Sequence, residues 1–310
     1  MSHPSVGHRP TSIEQMNEQF SRFRTEEGLT HGLAFQPKST DIIISPYAKS
    51  GTTWIQQIVH GLRTRGSMDF EEIIQVIPWI EMAFDVGIEL ESTQVAEPRA
   101  FKSHLTWDKV PKGARYIYAV RDPKNVLVSL YRFFEGWVFE SGSITISDFA
   151  EERFCQGTLS GSYWDHVGSW WEQRENPNVL ILCFEDMKTD LPKTVRRIAQ
   201  FIDCDLDEEL LDIVLRQSSL EFMVAHKEQF NEHLLREIRD PVCGYPRGGE
   251  SSKVTMGNTN SQKYELSERI KQKLDEIWHE EIGLKFGLAS YEAFREELAR
   301  LDLKTSRIDR

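Results

Sequence analysis

The sequence predicts an α/β fold in which one central parallel sheet is flanked by helices. Three segments predict it, because each starts with a short apolar run, continues through a polar turn and then places apolar residues at helical spacing. The apolar runs are Ile42–Ile44, Tyr116–Val120 and Val179–Phe184. Strands that alternate with helices build parallel sheets, and ligands bind at the carboxyl ends of such strands. We therefore expect a ligand site where these polar turns meet.

Length and composition favour one large globular domain. The chain has 310 residues, of which 39% are hydrophobic and 28% are charged, and this supports a large buried core. Residues 1–24 are polar and show no sustained apolar period, so we expect a mobile N-terminal segment followed by a single domain over residues 25–310. Neither an internal repeat nor a linker divides that domain.

The charge balance argues against some classes of binding partner, and the cysteines indicate the redox environment. A formal net charge of −12 argues against a surface for nucleic acid or anionic membrane. The longest apolar runs are far short of a membrane span, and no signal segment is visible. The four cysteines form no C-x-x-C pair, and Cys183 lies in an apolar run typical of a reduced core thiol. We expect a cytoplasmic protein without nucleic-acid or membrane partners, and the sequence leaves its oligomeric state open.

The turn after the first apolar run is predicted to bind phosphate. It carries Lys49, Ser50, Gly51, Thr52 and Thr53, and the helical spacing starts directly afterwards. The first N–H groups of a helix have no intrahelical acceptor and lie at the positive end of its dipole, so they bind phosphate. In a Walker loop the lysine follows the last glycine, whereas here it precedes Gly51. The order of residues therefore disfavours an ordinary ATPase or GTPase.

Two further segments bring polar groups to predicted strand ends. Lys102 and His104 lie at the end of a short strand within Pro98–Trp107. Arg121 lies in the turn after the second apolar run, and Ser129 lies inside the helix that follows. A guanidinium binds phosphate through forked, charge-assisted hydrogen bonds, each worth about 1.5–3 kcal/mol. These groups are candidates for the same anion site.

These motifs resemble those of a known family. The run Tyr47–Trp54, Y-A-K-S-G-T-T-W, closely resembles the 5′-phosphosulfate-binding loop of the cytosolic-type sulfotransferases, with Ala48 where the family usually has proline. Those enzymes use 3′-phosphoadenosine 5′-phosphosulfate (PAPS) as sulfuryl donor and release its desulfated product, PAP. The run K-S-H-L at residues 102–105 resembles the family's K-T-H-L motif, and Arg121 with Ser129 resembles its 3′-phosphate pair. The resemblance extends from about residue 42 to residue 287.

The resemblance implies roles for the matched residues. His104 corresponds to the catalytic base, while Lys49 and Lys102 supply positive charge at the transferred group, so that no metal is required. The residues that the resemblance assigns to PAPS are Lys49, Ser50, Gly51, Thr52, Thr53, Trp54, Arg121, Ser129, Phe184, Ser219, Arg247, Gly248 and Gly249.

The chain departs from the family at three of the expected donor contacts. Phe184 stands where a tyrosine is usual, and Leu220 replaces an aromatic residue that stacks on adenine. Trp54 is then left to supply most of the stacking. Gly248 replaces a lysine, and Lys253 is a nearby candidate to compensate for that missing charge.

The acceptor pocket is expected in Met68–Glu91, which is rich in large apolar residues and is interrupted by Pro78 and Gly87. The residues that the resemblance assigns to the acceptor are Trp79, Ile80, Glu81, Met82, Phe84, Asp85 and His104. Aromatic and acidic groups together suit a small amphipathic or cationic natural product, and a saxitoxin-like alkaloid is our hypothesis. Phenols, steroids, other alcohols and amines remain open as acceptors.

Two other functions remain open at this point. A nucleotide kinase also uses a strand, a phosphate loop and a helix, but it is expected to show a Walker glycine pattern and an acidic magnesium ligand. A non-catalytic PAP-binding protein would keep Arg121 and Ser129 but tolerate loss of His104. The presence of that histidine in the sequence favours an enzyme.

Overall fold

Four short parallel strands form the centre of the structure. It is a computed structural model that describes residues 7–157, 161–249, 253 and 264–308. The strands are β1 (Ile42–Ile44), β2 (Ala100–Lys102), β3 (Arg115–Val120) and β4 (Val179–Cys183). They lie in the order β2-β1-β3-β4, and all three pairings are parallel. The predicted parallel sheet is confirmed.

Helices cover both faces of the sheet, and they alternate with the strands as predicted. The helices are α1 (Ile13–Phe20), α2 (Glu26–Ala34), α3 (Thr52–Thr64), α4 (Ile73–Val76), α5 (Pro123–Phe134), α6 (Ile146–Phe149), α7 (Tyr163–Trp171), α8 (Phe184–Thr189), α9 (Leu191–Phe201), α10 (Glu208–Gln217), α11 (Leu220–Ala225), α12 (His233–Cys243), α13 (Glu268–Trp278), α14 (Leu284–Phe286) and α15 (Tyr291–Ile308). Short 3-10 turns lie at Ser21–Phe23, Phe84–Val86 and Lys227–Phe230, and π-helical turns lie at Ala150–Phe154 and His279–Gly283.

The strands are apolar on both sides because each face of the sheet has its own core. Alternate residues point to opposite faces, so that Ile43 and Tyr118 pack in one core while Ile42 and Ile117 pack in the other. Helices α5, α7, α12, α13 and α15 contribute to the first core, and α3, α9 and α10 contribute to the second. Both cores are continuous with the strand ends that carry the predicted site.

The N-terminal segment differs from the expectation. Ser12 accepts a hydrogen bond from the Gln15 N–H and caps α1, and Met16 of that helix is fully buried. Phe23 is also buried and packs edge-on against the Trp137 ring at 5.6 Å. Residues 13–23 are therefore part of the first core, and our prediction of a mobile segment is wrong for them. Residues 1–6 lie outside the described part of the chain.

Helix α12 holds this N-terminal segment in place. The Arg239 guanidinium donates to the carbonyl of Phe23 at 2.8 Å and to that of Arg22 at 2.7 Å. Arg239 is almost completely buried, so these charge-assisted bonds are shielded from water. The contact joins two parts of the chain that are far apart in sequence.

One strand boundary also differs from the prediction. The last apolar run was expected to continue through Phe184, but β4 ends at Cys183 and Phe184 starts α8. The aromatic ring is thereby aimed away from the sheet and towards the phosphate loop. In the part of the chain that the structure describes, no helix combines the length and apolar character needed to cross a membrane.

Candidate functional site

A cavity of about 1990 Å³ lies at the carboxyl ends of the strands. The predicted site residues that line it are Lys49, Gly51, Thr52, Thr53, Trp54, Trp79, Glu81, Met82, Lys102, His104, Arg121, Ser129, Phe184 and Ser219. They come from the end of β2, from the segments that follow β1, β2 and β3, from the segment between α4 and β2, and from α3, α5, α8 and the start of α11. The expected convergence of the polar turns is therefore present.

The phosphate loop has the backbone shape of an anion cradle. Lys49 and Gly51 both have left-handed backbone conformations, with φ of 67° and 98°. Within the described residues, no protein acceptor is recorded for the N–H groups of Gly51, Thr52 and Thr53. A Cβ on Gly51 would lie 2.9 Å from the Phe184 ring, so both the backbone angle and the available space require glycine. The loop and the first turn of α3 present unpaired donors to the cavity.

Two hydroxyl groups of this loop are buried and lack partners. The side-chain oxygens of Ser50 and Thr52 have no hydrogen-bond partner in the described structure. Ser50 is fully buried and is not part of the cavity wall, while Thr52 lines the wall. Buried polar groups are normally hydrogen-bonded, so these orphaned groups fit a site that is completed by an anion.

Arg121 lies beside the loop and faces the same space. One of its terminal nitrogens donates to the Lys49 carbonyl at 2.9 Å, and its guanidinium lies over the Phe184 ring at 4.4 Å. Its Nε is buried and has no recorded partner among the described residues. Ser129, which lies further along α5, also lines the cavity. The arginine is oriented by its backbone and ring contacts while donor capacity is left for an anion.

Two aromatic rings that contact each other border the phosphate loop. The Trp54 Nε1 donates to the Ser218 carbonyl at 2.8 Å, and the Trp54 ring meets the Phe184 ring edge-on at 5.7 Å. Ser219 lines the cavity, but its hydroxyl caps α11 by accepting the Phe222 N–H. The two rings touch edge to face, so a planar group such as a purine can stack beside this pair but not between its rings, and the Ser219 hydroxyl is already used.

His104 is held in a defined orientation. Its Nδ1 lies 2.7 Å from the Pro46 carbonyl, and a carbonyl accepts only, so Nδ1 carries the proton. Its backbone N–H donates to Glu81 Oε1 at 2.7 Å. The ring also meets the Trp79 ring edge-on at 5.2 Å. The unprotonated Nε2 is left as the basic atom of a residue that lines the cavity.

Lys102 is paired with a carboxylate that the sequence did not point to. Its Nζ donates to Glu232 Oε1 at 2.5 Å and lies 3.6 Å from the centre of the Trp79 ring. Lys253 contacts the same carboxylate oxygen. Glu232 is only 5% exposed, so the three charged groups form a largely dehydrated cluster in the cavity wall. Lys253, which we named because Gly248 replaces a lysine of the family, thus lies in the cavity wall.

The cluster changes the protonation of these groups. Burial, aided by the nearby charges of Lys253 and Arg121, lowers the pKa of Lys49 to about 7. Burial lowers the pKa of Lys102 to about 8, although Glu232 opposes that shift. Burial and then the charge of Lys102 hold the pKa of His104 well below its usual value. His104 is therefore neutral at pH 7, as a general base requires.

The acceptor assignments are only partly supported by the structure. Trp79, Glu81 and Met82 line the cavity, but Ile80 is fully buried in the first core and does not. Phe84 lies outside the cavity, is 43% exposed and stacks on His31. Its position follows from the 3-10 turn that starts at that residue.

Asp85 also lies outside the cavity, and its carboxylate is used elsewhere. It accepts hydrogen bonds from the Thr25 N–H at 2.9 Å and from the Thr25 hydroxyl at 2.5 Å. Arg239 lies 3.9 Å from the same carboxylate. A Cβ on Gly28 would clash with it at 2.6 Å, so the helix start and the aspartate fit closely together. Asp85 therefore anchors the start of α2, and we correct its assignment to the acceptor site.

The segment Arg247–Gly249 does not reach the cavity. Arg247 is exposed, and none of the three residues lines the cavity. The Gly248 carbonyl accepts from Arg9 at 2.7 Å and from Arg236 at 3.0 Å, and the Gly249 carbonyl accepts from Arg236 at 3.1 Å. These bonds hold the backbone of the segment to Arg9 near the N-terminus and to Arg236 of α12.

Sequence reasoning missed a whole wall of the cavity. The wall includes Asn17, Phe20, Ser21, Phe23, Arg24, Thr25, Glu26 and Leu29 from the N-terminal helices, and Arg132, Phe133, Phe134, Glu135, Trp137, Glu152, Arg153 and Phe154 from α5 and the segments after it. A signal for the first group was present, because Ile13, Met16, Phe20 and Phe23 follow Ser12 at helical spacing. Glu232 had no such signal, because the apolar residues after it, Leu234, Leu235 and Ile238, indicate a helix but not the burial of a carboxylate before its start.

The comparisons with known proteins agree with this geometry. Residues 39–286 match the family model described as the sulfotransferase domain. An amine sulfotransferase from Oryctolagus cuniculus is 31% identical over 258 residues, which cover 80% of this chain and 82% of the relative. The luciferin sulfotransferase of Photinus pyralis is 30% identical over 309 residues, which cover 88% of this chain and 78% of the relative.

Solved structures show the same fold. A mouse sulfotransferase complexed with PAP aligns with a TM-score of 0.62 and 23% identity, covering 84% of this chain and 90% of that chain. A retinol dehydratase in complex with retinol and PAP aligns with a TM-score of 0.64 and 20% identity, covering 91% of this chain and 98% of that chain. These likenesses extend over most of the described chain.

Proposed function

Because this chain belongs to the sulfotransferase family, we propose that it transfers a sulfuryl group from PAPS to a hydroxyl or amine of a small molecule. The observation that carries the proposal is the convergence, in one cavity, of an unpaired phosphate loop and a histidine with a free basic nitrogen. The loop suits the phosphates of a nucleotide, and the histidine suits deprotonation of an acceptor.

The residues of the donor side fit PAPS. The N–H groups of the phosphate loop and the orphaned hydroxyl of Thr52, which lines the cavity, are suited to the 5′-phosphosulfate. Arg121 and Ser129 are suited to the 3′-phosphate, and the Trp54 ring, which lines the cavity beside Phe184, is suited to stacking with adenine. PAPS supplies the sulfuryl group, and residues of this chain supply all the donor contacts that we propose.

His104 is the proposed general base. Its Nδ1–H is fixed on the Pro46 carbonyl, so Nε2 accepts the proton of the acceptor while the acceptor atom forms its bond to sulfur. The bond between sulfur and the bridging phosphate oxygen breaks, and its electron pair leaves with PAP. Because burial keeps the pKa of His104 low, the imidazole is unprotonated before the reaction at neutral pH.

Lys49 and Lys102 are the proposed electrostatic partners of the transferred group. Both line the cavity near the strand ends, and both have lowered pKa values of about 7 and about 8. An incoming anion favours the charged form of each lysine, so donor binding and protonation support one another. Positive charge fixed in a dry site stabilises the negative charge that develops on the leaving oxygen.

For the acceptor we propose a polar small molecule without a fixed positive charge. Burial raises the pKa of the Glu81 carboxyl, and its Oε1 already accepts the His104 N–H. A carboxyl with a raised pKa is better suited to hydrogen bonding than to an ion pair. The cationic saxitoxin-like acceptor loses support, because Asp85 is bound to Thr25 and lies outside the cavity.

Calorimetric titration with PAP and with ATP tests the donor site. We expect PAP to bind in the micromolar range and ATP to bind at least tenfold more weakly, because the site has a separate arginine for the 3′-phosphate. A panel of 4-nitrophenol, cyclohexanol and benzylamine with PAPS then tests transfer to the three acceptor classes. Equal or tighter binding of ATP, or absence of PAP binding, would overturn the proposal in favour of a kinase.

A further inference from the structure

Glu232 is a buried charged group of the cavity wall that the proposed reaction does not yet use. It precedes α12 in a left-handed backbone conformation, with φ of 60° and ψ of 30°, which is uncommon for a residue other than glycine. The following backbone is held in place, because the Leu234 N–H donates to Glu72 Oε2 at 2.8 Å and the Arg236 N–H donates to the Glu232 carbonyl at 2.9 Å. The carboxylate is therefore delivered to the cavity by a fixed turn.

The carboxylate is connected to the proposed base through three contacts, which run by way of Lys102 and Trp79. Its Oε1 holds Lys102 Nζ at 2.5 Å, and that ammonium lies 3.6 Å from the centre of the Trp79 ring. The Trp79 ring in turn contacts the His104 imidazole, with 5.2 Å between the ring centres. One hydrogen bond thus determines where the Lys102 charge lies relative to His104.

Building on the proposed function, we propose that Glu232 is a positioning residue that fixes both the location and the positive charge of Lys102 for sulfuryl transfer. Glu232 acts through Lys102 and through no direct contact with the reacting atoms. Its carboxylate remains ionised, because the charges of Lys102 and Lys253 outweigh the effect of burial and keep its pKa well below the usual value.

The charges around Lys102 determine the direction of the effect. Lys253 from the segment after α12 lowers the pKa of Lys102, while Glu232 and Glu81 raise it. The other charged or titratable groups that face this cluster are Lys49, Arg121, Glu72, His104 and His233. Removing the Glu232 charge therefore lowers the pKa of Lys102 further, and removing the Lys253 charge raises it.

The pH dependence of kcat/KM measures this effect. Lys102 and Lys49 both support transfer when protonated, so activity is lost as the pH rises through the pKa of either lysine. Glu232 raises and Lys253 lowers both pKa values, so the two lysines respond to the variants in the same direction, and the effect is read as the change relative to the wild type. An opposite charge in contact shifts a pKa by about 1–3 units. Starting from a pKa of about 8, a decrease of about one unit lowers the protonated fraction at pH 8 from about one half to about one tenth.

The experiment compares the variants Glu232→Gln, Glu232→Asp and Lys253→Gln with the wild type. We measure kcat/KM from pH 6 to pH 10 with PAPS and the most active acceptor of the panel of 4-nitrophenol, cyclohexanol and benzylamine. Glu232→Gln is expected to lose about fivefold at pH 8 but less than about 1.2-fold at pH 6. Glu232→Asp is expected to keep the wild-type alkaline limb, and Lys253→Gln is expected to move that limb to higher pH.

A second measurement needs no acceptor. The pKa of the Lys102 ammonium is measured directly by NMR of lysine labelled with ¹³C and ¹⁵N, with Lys102→Arg to assign the resonance. We expect the pKa to decrease in Glu232→Gln and to increase in Lys253→Gln. Glu172→Gln is the matched control, because that carboxylate pairs with Lys285 at 2.8 Å on the surface and should leave Lys102 unchanged.

The outcomes separate this inference from the proposed function. Absence of PAP binding by the wild type would overturn the proposed function, whereas the NMR titration would still report on Lys102. An active wild type with the same alkaline limb in Glu232→Gln would overturn the inference alone. So would a uniform loss of Glu232→Gln activity at every pH, because that pattern indicates a merely structural role.

Discussion

The two halves of the cavity are built in different ways. The half that we propose for the donor, called the donor half, comes from local units, since Lys49–Trp54 joins the turn after β1 to the first turn of α3 and Ser129 lies only eight residues after Arg121 in the unit that follows β3. The half that we propose for the acceptor, called the acceptor half, combines the N-terminal helices, the segment after α5 and the strand end at His104. Residues that face each other there are often more than a hundred positions apart, as Trp137 and Phe23 are.

This difference has a physical basis. A strand, a tight turn and a helix start fix the donor groups through backbone geometry, as the left-handed Lys49 and Gly51 illustrate. The acceptor wall is fixed by side-chain packing and by long-range bonds such as Arg239 to Phe23. We therefore expect changes in the acceptor half to leave ligand binding in the donor half unaffected. Variants in each half test this expectation.

The largest effect is expected at His104, where the two halves meet. The variant His104→Ala should lose about 10²–10⁴-fold in kcat, which is the usual contribution of a general base. Calorimetry should show unchanged PAP affinity, because no donor contact involves the imidazole. His226→Ala is the control, since His226 is exposed and outside the cavity. A loss of less than tenfold in kcat would mean that another group removes the proton.

An intermediate effect is expected for the donor arginines. Arg121→Ala should weaken PAP binding by about 10- to 100-fold, which corresponds to one or two charge-assisted hydrogen bonds. Arg247→Ala should cause a smaller loss, because Arg247 is exposed and its neighbours are held by Arg9 and Arg236. Both are measured by titration with PAP. Equal losses would show that the 247–249 segment joins the donor half on binding, and the comparison would then need revision.

The smallest effect on activity is expected at Asp85. Asp85→Asn should lower the free energy of unfolding by about 1–3 kcal/mol, because an ionised acceptor for the Thr25 N–H and hydroxyl is lost. PAP affinity should be unchanged, and urea denaturation measures the stability change. Asp212→Asn, at an exposed position of α10, is the control. A large change in acceptor KM with unchanged stability would restore Asp85 to the acceptor site.

Much of the fold could be predicted because its signals are local. The apolar runs of β1 and β3 lie within one residue of the observed strands, and α3 and α5 follow the polar turns where helical spacing indicated them. The donor loop was recognisable because its residues are consecutive. The N-terminal helices were missed although Ser12 and the apolar residues after it carried a helix signal, since the segment was interpreted from its overall polarity.

The remaining site residues could not be found from local patterns. Glu232 acquires its function from Lys102, which is 130 positions away, and nothing in its own neighbourhood indicates burial. The assignments of Phe84 and Asp85 were wrong for a related reason. A 3-10 turn starts at Phe84, and it sends that ring to the surface while Asp85 turns towards the start of α2. Such choices depend on tertiary contacts that a short window of sequence does not contain.

The hydrogen bonds from Arg239 to the N-terminal segment also have a consequence for synthesis of the chain. Arg239 leaves the ribosome 216 residues after Phe23, its partner. At about 5–20 residues per second, that interval lasts about 10 to 40 seconds. Phe23 can pack against Trp137 before α12 has been synthesised, but its carbonyl receives the Arg239 donor only afterwards. The N-terminal segment is therefore among the parts of the chain that wait longest for all of their native contacts.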